Sequence, residues 1–249
     1  PTHVKLLPPK DVPIELLLVN GAECEPYLTT DHRTMVEYPD RVWFGVRIMM
    51  KALEVKRAVI GIEKNKPDAV GILSRAKPAD LNAEVIGLTV KYPQGAEKML
   101  IKAVFGIEVP TGKLPIDVQI VVNNVGTMAA IADYFDHGIP LIERVVTVAG
   151  PGVKRPANLM VPLGTPVRAV FEHLGGLDED TRVGKPREMT QMAQQMAVQY
   201  YSTLSYLRPE ILALGADKVN GYLAAVWASG FEVSADYPGT AMKLIRPSI

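Results

Sequence analysis

Cysteine is nearly absent from this sequence, which has a single one, Cys24, among 249 residues. One thiol excludes an internal disulfide, and it cannot ligate an iron–sulfur cluster, which ordinarily takes four thiolates. Cys24 also lies between two glutamates, whose negative field disfavours a reactive thiolate. We therefore expect no disulfide, no cluster ligands and no redox role for this residue, and a reducing cytoplasmic setting.

Long apolar runs are missing too. A membrane-spanning helix needs roughly 18 to 20 apolar residues, whereas the longest runs, such as residues 14–19, have the length of a strand. A charged start followed by an apolar segment, typical of a secretory leader, is also absent. These absences predict no direct membrane span. The first residue is Pro1 rather than Met, which suggests that the chain begins inside a longer gene product.

An excess of charge of either sign is likewise absent, because 27 Lys and Arg residues balance 27 Asp and Glu residues. Nothing in the composition would attract nucleic acid over a long range, so we expect no nucleic-acid partner and a local site for any anionic ligand. The patterns GxSxG, GxxxxGK[ST] and GxGxxG do not occur, which removes support for a hydrolase, kinase or ATPase. His32 and His137 lack partners at ligand spacing, so no metal site is predicted.

What the sequence does have is an alternation of short aliphatic runs with amphipathic stretches of helical length. This order predicts an α/β fold with a sheet covered by helices on both faces. The predicted strands are residues 14–20, 56–63, 83–90 and 118–122. The predicted helices are residues 40–53, 67–76, 95–105 and 125–135.

The pattern changes after Gly138. Short strands at residues 144–149 and 159–162 and a helix at 166–174 predict a small α+β module. A charged, glycine-containing stretch at 175–186 has the composition of a linker. Beyond it the pattern predicts helices and a short strand near residues 242–245. The predicted domains are therefore residues 1–140, 141–180 and 187–249, the last of them mainly helical.

The segment most informative about chemistry is NGAECEP, residues 20–26, which follows a buried strand. Ligands of open α/β sheets bind at the carboxyl ends of the strands, so polar residues at this place are expected to face a ligand. Glu23 and Glu25 would repel one another and lose solvation there unless a polar cofactor compensated them. A solvated acidic turn is the alternative, and the residues alone leave it open.

Five motifs in a fixed order carry a resemblance to a known family. They are PTHVK (1–5), NGAECEPYLTTDHR (20–33), IGIEKNKPDA (60–69), KYPQGAEK (91–98) and NNVGT (123–127). In order and spacing they resemble the RnfC subunit of the Rnf electron-transport complex and, more distantly, the flavin subunit of respiratory complex I. The resemblance covers about residues 1–177. It implies a Rossmann-like flavin-binding domain and a small β-grasp (soluble-ligand-binding) module. The helical tail beyond them rests on the sequence pattern and is not covered by the resemblance.

The resemblance also implies an FMN and NADH site. Lys5 would bind the FMN phosphate or neutralise the reduced ring, Asn20 would hydrogen-bond the flavin, and Glu25 would accept from ribose hydroxyls. The full set of implied cofactor-binding residues is Lys5, Asn20, Glu23, Glu25, Gly95, Glu97, Asn123 and Asn124. Simpler readings stay open: Lys5 as a surface lysine, Glu97 as a first-turn acid, and one of the two asparagines as a helix cap.

The function implied is that of an FMN-dependent NADH-oxidising module in a membrane-associated, ion-translocating electron-transport complex. Its partners would be other Rnf-type membrane subunits. It would be a cytoplasmic, peripheral protein at the inner face of the bacterial cell membrane. The family's iron–sulfur clusters have no ligands in this chain, and only the end of the family's glycine-rich loop is present. Two alternatives remain: a non-catalytic scaffold subunit without flavin, and a cobalamin reductase of a bacterial microcompartment.

Overall fold

The computed structural model describes residues 2–9, 12–24, 28–149, 152–176 and 244–245. The chain divides into two compact units. The first contains the described residues up to 147, together with 158–164 and 244–245. The second contains the described residues of 148–157 and 165–176.

A parallel four-stranded sheet forms the centre of the first unit, in the order β3-β2-β1-β4. The strands read as nearly continuous apolar runs because a parallel sheet is covered on both faces. Asn20 of the first strand lies opposite Gly61 of the second and Asn124 of the fourth, so the strands end together at one edge. The strands are β1 (Leu16–Gly21), β2 (Arg57–Glu63), β3 (Ala83–Leu88) and β4 (Ile120–Asn124).

Helices cover both faces of this sheet unequally in the described part of the chain. Helices α2, α3, α4 and α6 contribute buried side chains to one core cluster, which we call the four-helix face. Leu100 and Ile101 of α5 join Leu18 and Val59 in the other cluster, the one-helix face. The helices are α1 (Thr2–Lys5), α2 (Thr30–Glu37), α3 (Pro39–Ala52), α4 (Pro67–Ala76), α5 (Glu97–Phe105), α6 (Val125–His137) and α7 (Val167–His173).

The four-helix face is closed by two specific contacts. The fully buried Trp43 donates its indole N–H to the carbonyl oxygen of Leu73 at 2.9 Å, so its polar atom is satisfied inside the core. Helices α3 and α6 meet at Gly45, where a Cβ atom would lie 2.0 Å from the carbonyl oxygen of Met128. Only glycine permits backbones to approach so closely.

A second, three-stranded sheet has the order β5-β6-β7. Its strands are β5 (Glu143–Val148), β6 (Ala157–Pro162) and β7 (Leu244–Ile245), and β6 and β7 run parallel. In the second unit, Arg155 donates to the carbonyl oxygen of His173 at the end of α7, at 2.6 Å. That contact supplies a cation and a donor to the last turn of the helix, where carbonyl groups lack helical partners.

The predicted α/β fold with a helix-covered sheet is confirmed, with shifts at element ends, and the structure shows that the sheet is parallel. The fourth strand begins at Ile120 instead of residue 118, because Pro115–Val118 form a 3-10 turn. Helix α5 begins at Glu97, two residues later than expected. Helices α1 and α2 were not predicted. The strand expected near residues 242–245 is β7, whereas the tail helices lie outside the described residues, and the domain bounds stay a prediction.

No helix in the described part of the chain combines the length and apolar character that crossing a membrane requires. The same residues contain no group of three or more His, Cys, Asp or Glu side chains placed to hold a metal ion.

Candidate functional site

Polar residues gather at the edge where the parallel strands end, which we call the carboxyl edge. It comprises the last residues of β1, β2 and β4 and the segments that follow them, together with the loop before α5. Strand ends in a parallel sheet bring residues distant in sequence together, and ligands of open α/β folds bind at such an edge. Seven of the eight predicted site residues lie at this edge or contact it. The eighth, Glu25, lies outside the described residues.

Asn20 fastens the loop before α5 to the end of β1. Its Nδ2 donates to the carbonyl oxygen of Gly95 at 2.8 Å, and its Oδ1 accepts from the backbone N–H of Ala22 at 3.0 Å. A Cβ atom at Gly95 would lie 2.5 Å from the carbonyl oxygen of Ala22, so this close approach requires glycine. The two predicted residues Asn20 and Gly95 are therefore brought together, and both amide atoms of Asn20 have partners in the protein.

Lys5 joins the end of α1 to the same edge. Its Nζ lies 2.6 Å from Oε1 of Glu97 and donates to the carbonyl oxygen of Val122 at 2.5 Å. Both side chains are partly open to solvent, at 34% and 45% of their areas, so water screens the ion pair. The structure therefore brings together two predicted residues that are 92 positions apart.

Glu23 is buried, with 9% of its surface exposed. Its carboxylate accepts hydrogen bonds from the backbone N–H groups of Asp31 and His32, at 2.9 and 3.3 Å, and from the hydroxyl of Thr30 at 3.1 Å. These groups begin α2, where the N–H groups lack helical partners and the helix dipole is positive. The helix start thus compensates the buried charge, and a solvated turn does not describe Glu23.

Asn124 caps α6. Its Oδ1 accepts from the backbone N–H of Gly126 at 2.7 Å, and its Nδ2 donates to Oδ2 of Asp31 at 2.6 Å. Of the two neighbouring asparagines, Asn124 is therefore the one that the helix itself requires. Because Asp31 also belongs to α2, this contact ties the starts of α2 and α6 to one another.

Two buried amide atoms at this edge have no hydrogen-bond partner, Nδ2 of Asn123 and Oε1 of Gln94, and no other fully buried side-chain N or O atom among the described residues shares that condition. Asn123 is 6% exposed and Gln94 is 1% exposed. A buried polar group without a partner costs about 1 to 3 kcal/mol, so native proteins contain few of them. One donor and one acceptor beside Lys5, Asn20 and Gly95 fit a polar ligand such as FMN.

Three further groups at the edge were missed by the sequence reasoning: Gln94, the pair Glu63–Lys66 and the pair His32–Asp68. Glu63 ends β2 and is paired with Lys66 at 3.0 Å, with 4% and 12% of their side chains exposed. His32 Nε2 lies 2.9 Å from Asp68. Burial raises the pKa of Asp68, but hydrogen bonds from His32 and from the backbone lower it below its usual value. The motifs that contain these residues were noticed, but no single-sequence signal identifies their partners.

A cavity of about 460 Å³ lies beside this network, between α2, α6 and residues 139–145. Asp31 and Asn124 line one part of it, and Arg41 lines another. Arg41 forms ion pairs with Asp136 at 2.5 Å and with Asp133 at 3.6 Å, so its guanidinium already has two carboxylate partners within the protein.

The model of the Nuo51 FMN-binding domain matches residues 1–133, more than half of the chain. The chain belongs to the Nuo51 FMN-binding domain family. A second family model, the SLBB domain, matches residues 145–191. The FMN-binding match spans all of the carboxyl edge, so the residues of this edge lie inside the family's domain.

The curated relatives of this chain are named as C subunits of ion-translocating complexes. The chain is 50% identical to the C subunit of the proton-translocating ferredoxin:NAD(+) oxidoreductase complex of Clostridium ljungdahlii, over 72% of this chain and 39% of the relative. It is 44% identical to the C subunit of the Na(+)-translocating complex of Acetobacterium woodii, over 72% and 41%. The predicted resemblance to RnfC is confirmed. The chain spans about two fifths of the length of these relatives.

Among solved structures, the fold resembles an NAD+-reducing [NiFe]-hydrogenase in the air-oxidized state. The TM-score is 0.60 at 22% identity, over 69% of this chain and 35% of that one. At this identity the likeness supports the FMN-binding domain fold alone.

Proposed function

We propose that this chain binds FMN at the carboxyl edge of its parallel sheet and serves as the NADH-oxidising module of an Rnf-type electron-transport complex. The observation that carries the proposal is Asn123. Its amide nitrogen is buried without a partner at the carboxyl edge of a domain that belongs to an FMN-binding family, and ligands of open α/β folds bind at such an edge. A bound group that accepts a hydrogen bond there would satisfy this nitrogen.

The FMN phosphate would be held by Asn123 and Lys5. Lys5 donates to the carbonyl oxygen of Val122, the residue before Asn123 in the sequence, which supports assigning the cation and the amide donor to the same anion. The start of α6 follows directly, and helix N-termini favour anions. A lysine serves as a point charge for phosphate in such sites. In this proposal Lys5 exchanges part of its contact with Glu97 for the phosphate.

The NADH side would be formed by acidic residues. Glu97 is half exposed at the start of α5, and we assign it, with Glu25, to hydrogen bonds from the ribose hydroxyls of NADH. Glu23 acts through α2, whose first N–H groups it holds in place. Asn20 and Gly95 act in the same indirect way, since their contact fixes the loop that carries Glu97.

FMN, when bound, supplies a ring that accepts hydride from nicotinamide and releases electrons one at a time. In this proposal the residues of the chain bind and orient the flavin ring and supply partners for the negative charge of the FMN phosphate. Because relatives are named as subunits of ion-translocating complexes, we propose that electrons pass to other Rnf-type subunits at the inner face of the cell membrane. The residues of this chain would contribute no cluster ligands to that transfer.

The test is flavin retention by the purified protein. We expect an equimolar complex with FMN, whose visible absorption is bleached when NADH is added without oxygen. Asn123→Leu should weaken FMN binding by about tenfold or more, since one hydrogen bond and its buried donor are removed. Lys102→Gln, on the exposed side of α5, is the matched control and should bind FMN as the native protein does. A protein that retains no flavin from an FMN solution contradicts the proposal.

A second candidate, a scaffold subunit without flavin, is favoured by a different observation. Asn20, Glu23 and Asn124 each use their side chains within the protein, so folding alone accounts for their presence. The same FMN titration separates the two candidates, because a scaffold would be colourless and yet bind membrane subunits of an Rnf-type complex.

A further inference from the structure

We propose that Gln94 contacts the flavin itself and that its Oε1 accepts a hydrogen bond from N3–H of the isoalloxazine ring. This inference rests on the proposed function, since it names a ligand residue of the same site. Gln94 does not belong to the set that the family resemblance implied. It would act as a specificity-determining residue, because it distinguishes flavins by the hydrogen on one ring nitrogen.

The first argument is burial without a partner. Gln94 is 1% exposed, and its Oε1 makes no hydrogen bond in the described structure. A side-chain amide oxygen has two lone pairs, and buried ones almost always find a donor. The missing donor is therefore expected from a bound molecule.

The second argument is that the loop around Gln94 is firmly held. The backbone N–H of Gln94 donates to the carbonyl oxygen of Lys91 at 2.9 Å, and that of Ala96 donates to Pro93 at 3.1 Å. Asn20 binds the carbonyl oxygen of Gly95, the next residue, at 2.8 Å. These bonds fix the backbone on both sides of Gln94, so the unpaired oxygen is not a consequence of a poorly bonded segment.

The third argument is that some polar side chains at the carboxyl edge have partners within the protein and others do not. Asn20, Glu23 and Asn124 have protein partners for their side-chain oxygen atoms. The two fully buried side-chain atoms without a partner are instead Nδ2 of Asn123, a donor, and Oε1 of Gln94, an acceptor. Ligand contacts at this edge are therefore assigned to these two amides.

The polarity of the atom selects its partner on the ring. The oxidised isoalloxazine ring system offers one donor, N3–H, whereas its O2, O4, N1 and N5 atoms are acceptors. An amide oxygen can pair only with a donor. Oε1 of Gln94 therefore matches N3–H, and the donor of Asn123 is left for the phosphate.

The experiment compares FMN with 3-methyl-FMN, in which a methyl group replaces the N3 hydrogen. Dissociation constants are measured by quenching of flavin fluorescence for the native protein, Gln94→Met and Gln94→Glu. The native protein should bind 3-methyl-FMN about tenfold more weakly than FMN, as expected for one lost hydrogen bond. Gln94→Met should bind FMN about tenfold more weakly and distinguish the two flavins by no more than about twofold. Gln94→Glu keeps an acceptor and should keep the preference for FMN.

The outcomes separate the inference from the proposed function. If the native protein binds no FMN, the proposed function fails. If it binds FMN and 3-methyl-FMN equally, or if Gln94→Met keeps the full preference, the inference on Gln94 is wrong and the flavin site stands. Thermal unfolding without flavin controls for folding, since Gln94→Met removes an unpaired oxygen and should not lower Tm. Should that variant fail to fold, the comparison of the two flavins on the native protein still decides.

Discussion

The four-helix face and the carboxyl edge of the same sheet differ in whether their buried polar atoms have hydrogen-bond partners within the protein. On the face, apolar side chains such as Trp43 and Met49 are wholly buried, and the one polar atom of Trp43 is paired within the core. At the edge, charged and amide groups are buried as well, and two of their atoms have no protein partner. The four-helix face therefore stabilises the fold and offers a ligand no unpaired polar atom, whereas the carboxyl edge has two buried hydrogen-bonding atoms that the fold leaves unpaired.

The largest effect should come from the closest contact on the four-helix face. Gly45→Ala places a methyl group within 2.0 Å of the carbonyl oxygen of Met128, so α3 and α6 must separate. We expect the free energy of unfolding to fall by about 3 kcal/mol, at the upper end for overpacked cores. Gly71→Ala on α4 is the control, because its methyl group would meet only the flexible end of Arg75. Denaturant titrations of both variants measure the difference, and equal stabilities would contradict the close helix contact.

A medium effect tests the division within the edge itself, using one substitution at two adjacent asparagines. Asn124→Leu removes the cap of α6 and the partner of Asp31, so stability should fall by about 1.5 kcal/mol. Asn123→Leu removes a buried donor without a partner, so stability without flavin should stay the same or rise. Chemical denaturation in the absence of FMN measures both. The reverse order of stabilities would show that the two asparagines have exchanged roles.

A smaller effect is expected for the ion pair between Lys5 and Glu97. Both partners are about a third or more exposed, so solvent screening limits the contribution of the pair to less than about 0.5 kcal/mol. Glu97→Gln should leave the unfolding free energy nearly unchanged while raising the Michaelis constant for NADH. Raising the salt concentration should remove what little difference remains. A loss of stability as large as that of Asn124→Leu would mean that Glu97 serves the fold.

The smallest effect concerns the solvent-exposed ion pair between Arg47 of α3 and Asp80. The hydrogen bonds and charge of Arg47 lower the pKa of Asp80 from 3.8 to about 2. A carboxyl group with a lowered pKa stabilises the folded state above its unfolded pKa and loses that contribution as the pH falls. Between about pH 4 and pH 2, Tm of the native protein should therefore fall slightly more steeply than Tm of Asp80→Asn. Parallel slopes over this window would show that the pair contributes nothing.

Most of the edge was predictable as a set of residues but not as a set of contacts. The motif NGAECEP marks the end of the first strand, and NNVGT marks the end of the fourth strand and a helix cap, because both signals are local. Helix α2 was missed because only two of its eight residues, Met35 and Val36, are apolar, too few to mark a helical face. Its start is held by Glu23, which precedes it by seven to nine residues, so no pattern within the helix announces it.

The sequence alone determined the alternation of strands with most of the helices, the α/β fold that this alternation predicts, and the family resemblance, since these depend on local periodicity and short motifs. Only the tertiary structure decided which side chains serve the fold and which remain for a ligand. Asn20 reaches Gly95 across 75 positions, and Lys5 reaches Glu97 across 92. Whether a buried amide has a partner depends on groups distant in sequence, and only folding brings them within hydrogen-bond range.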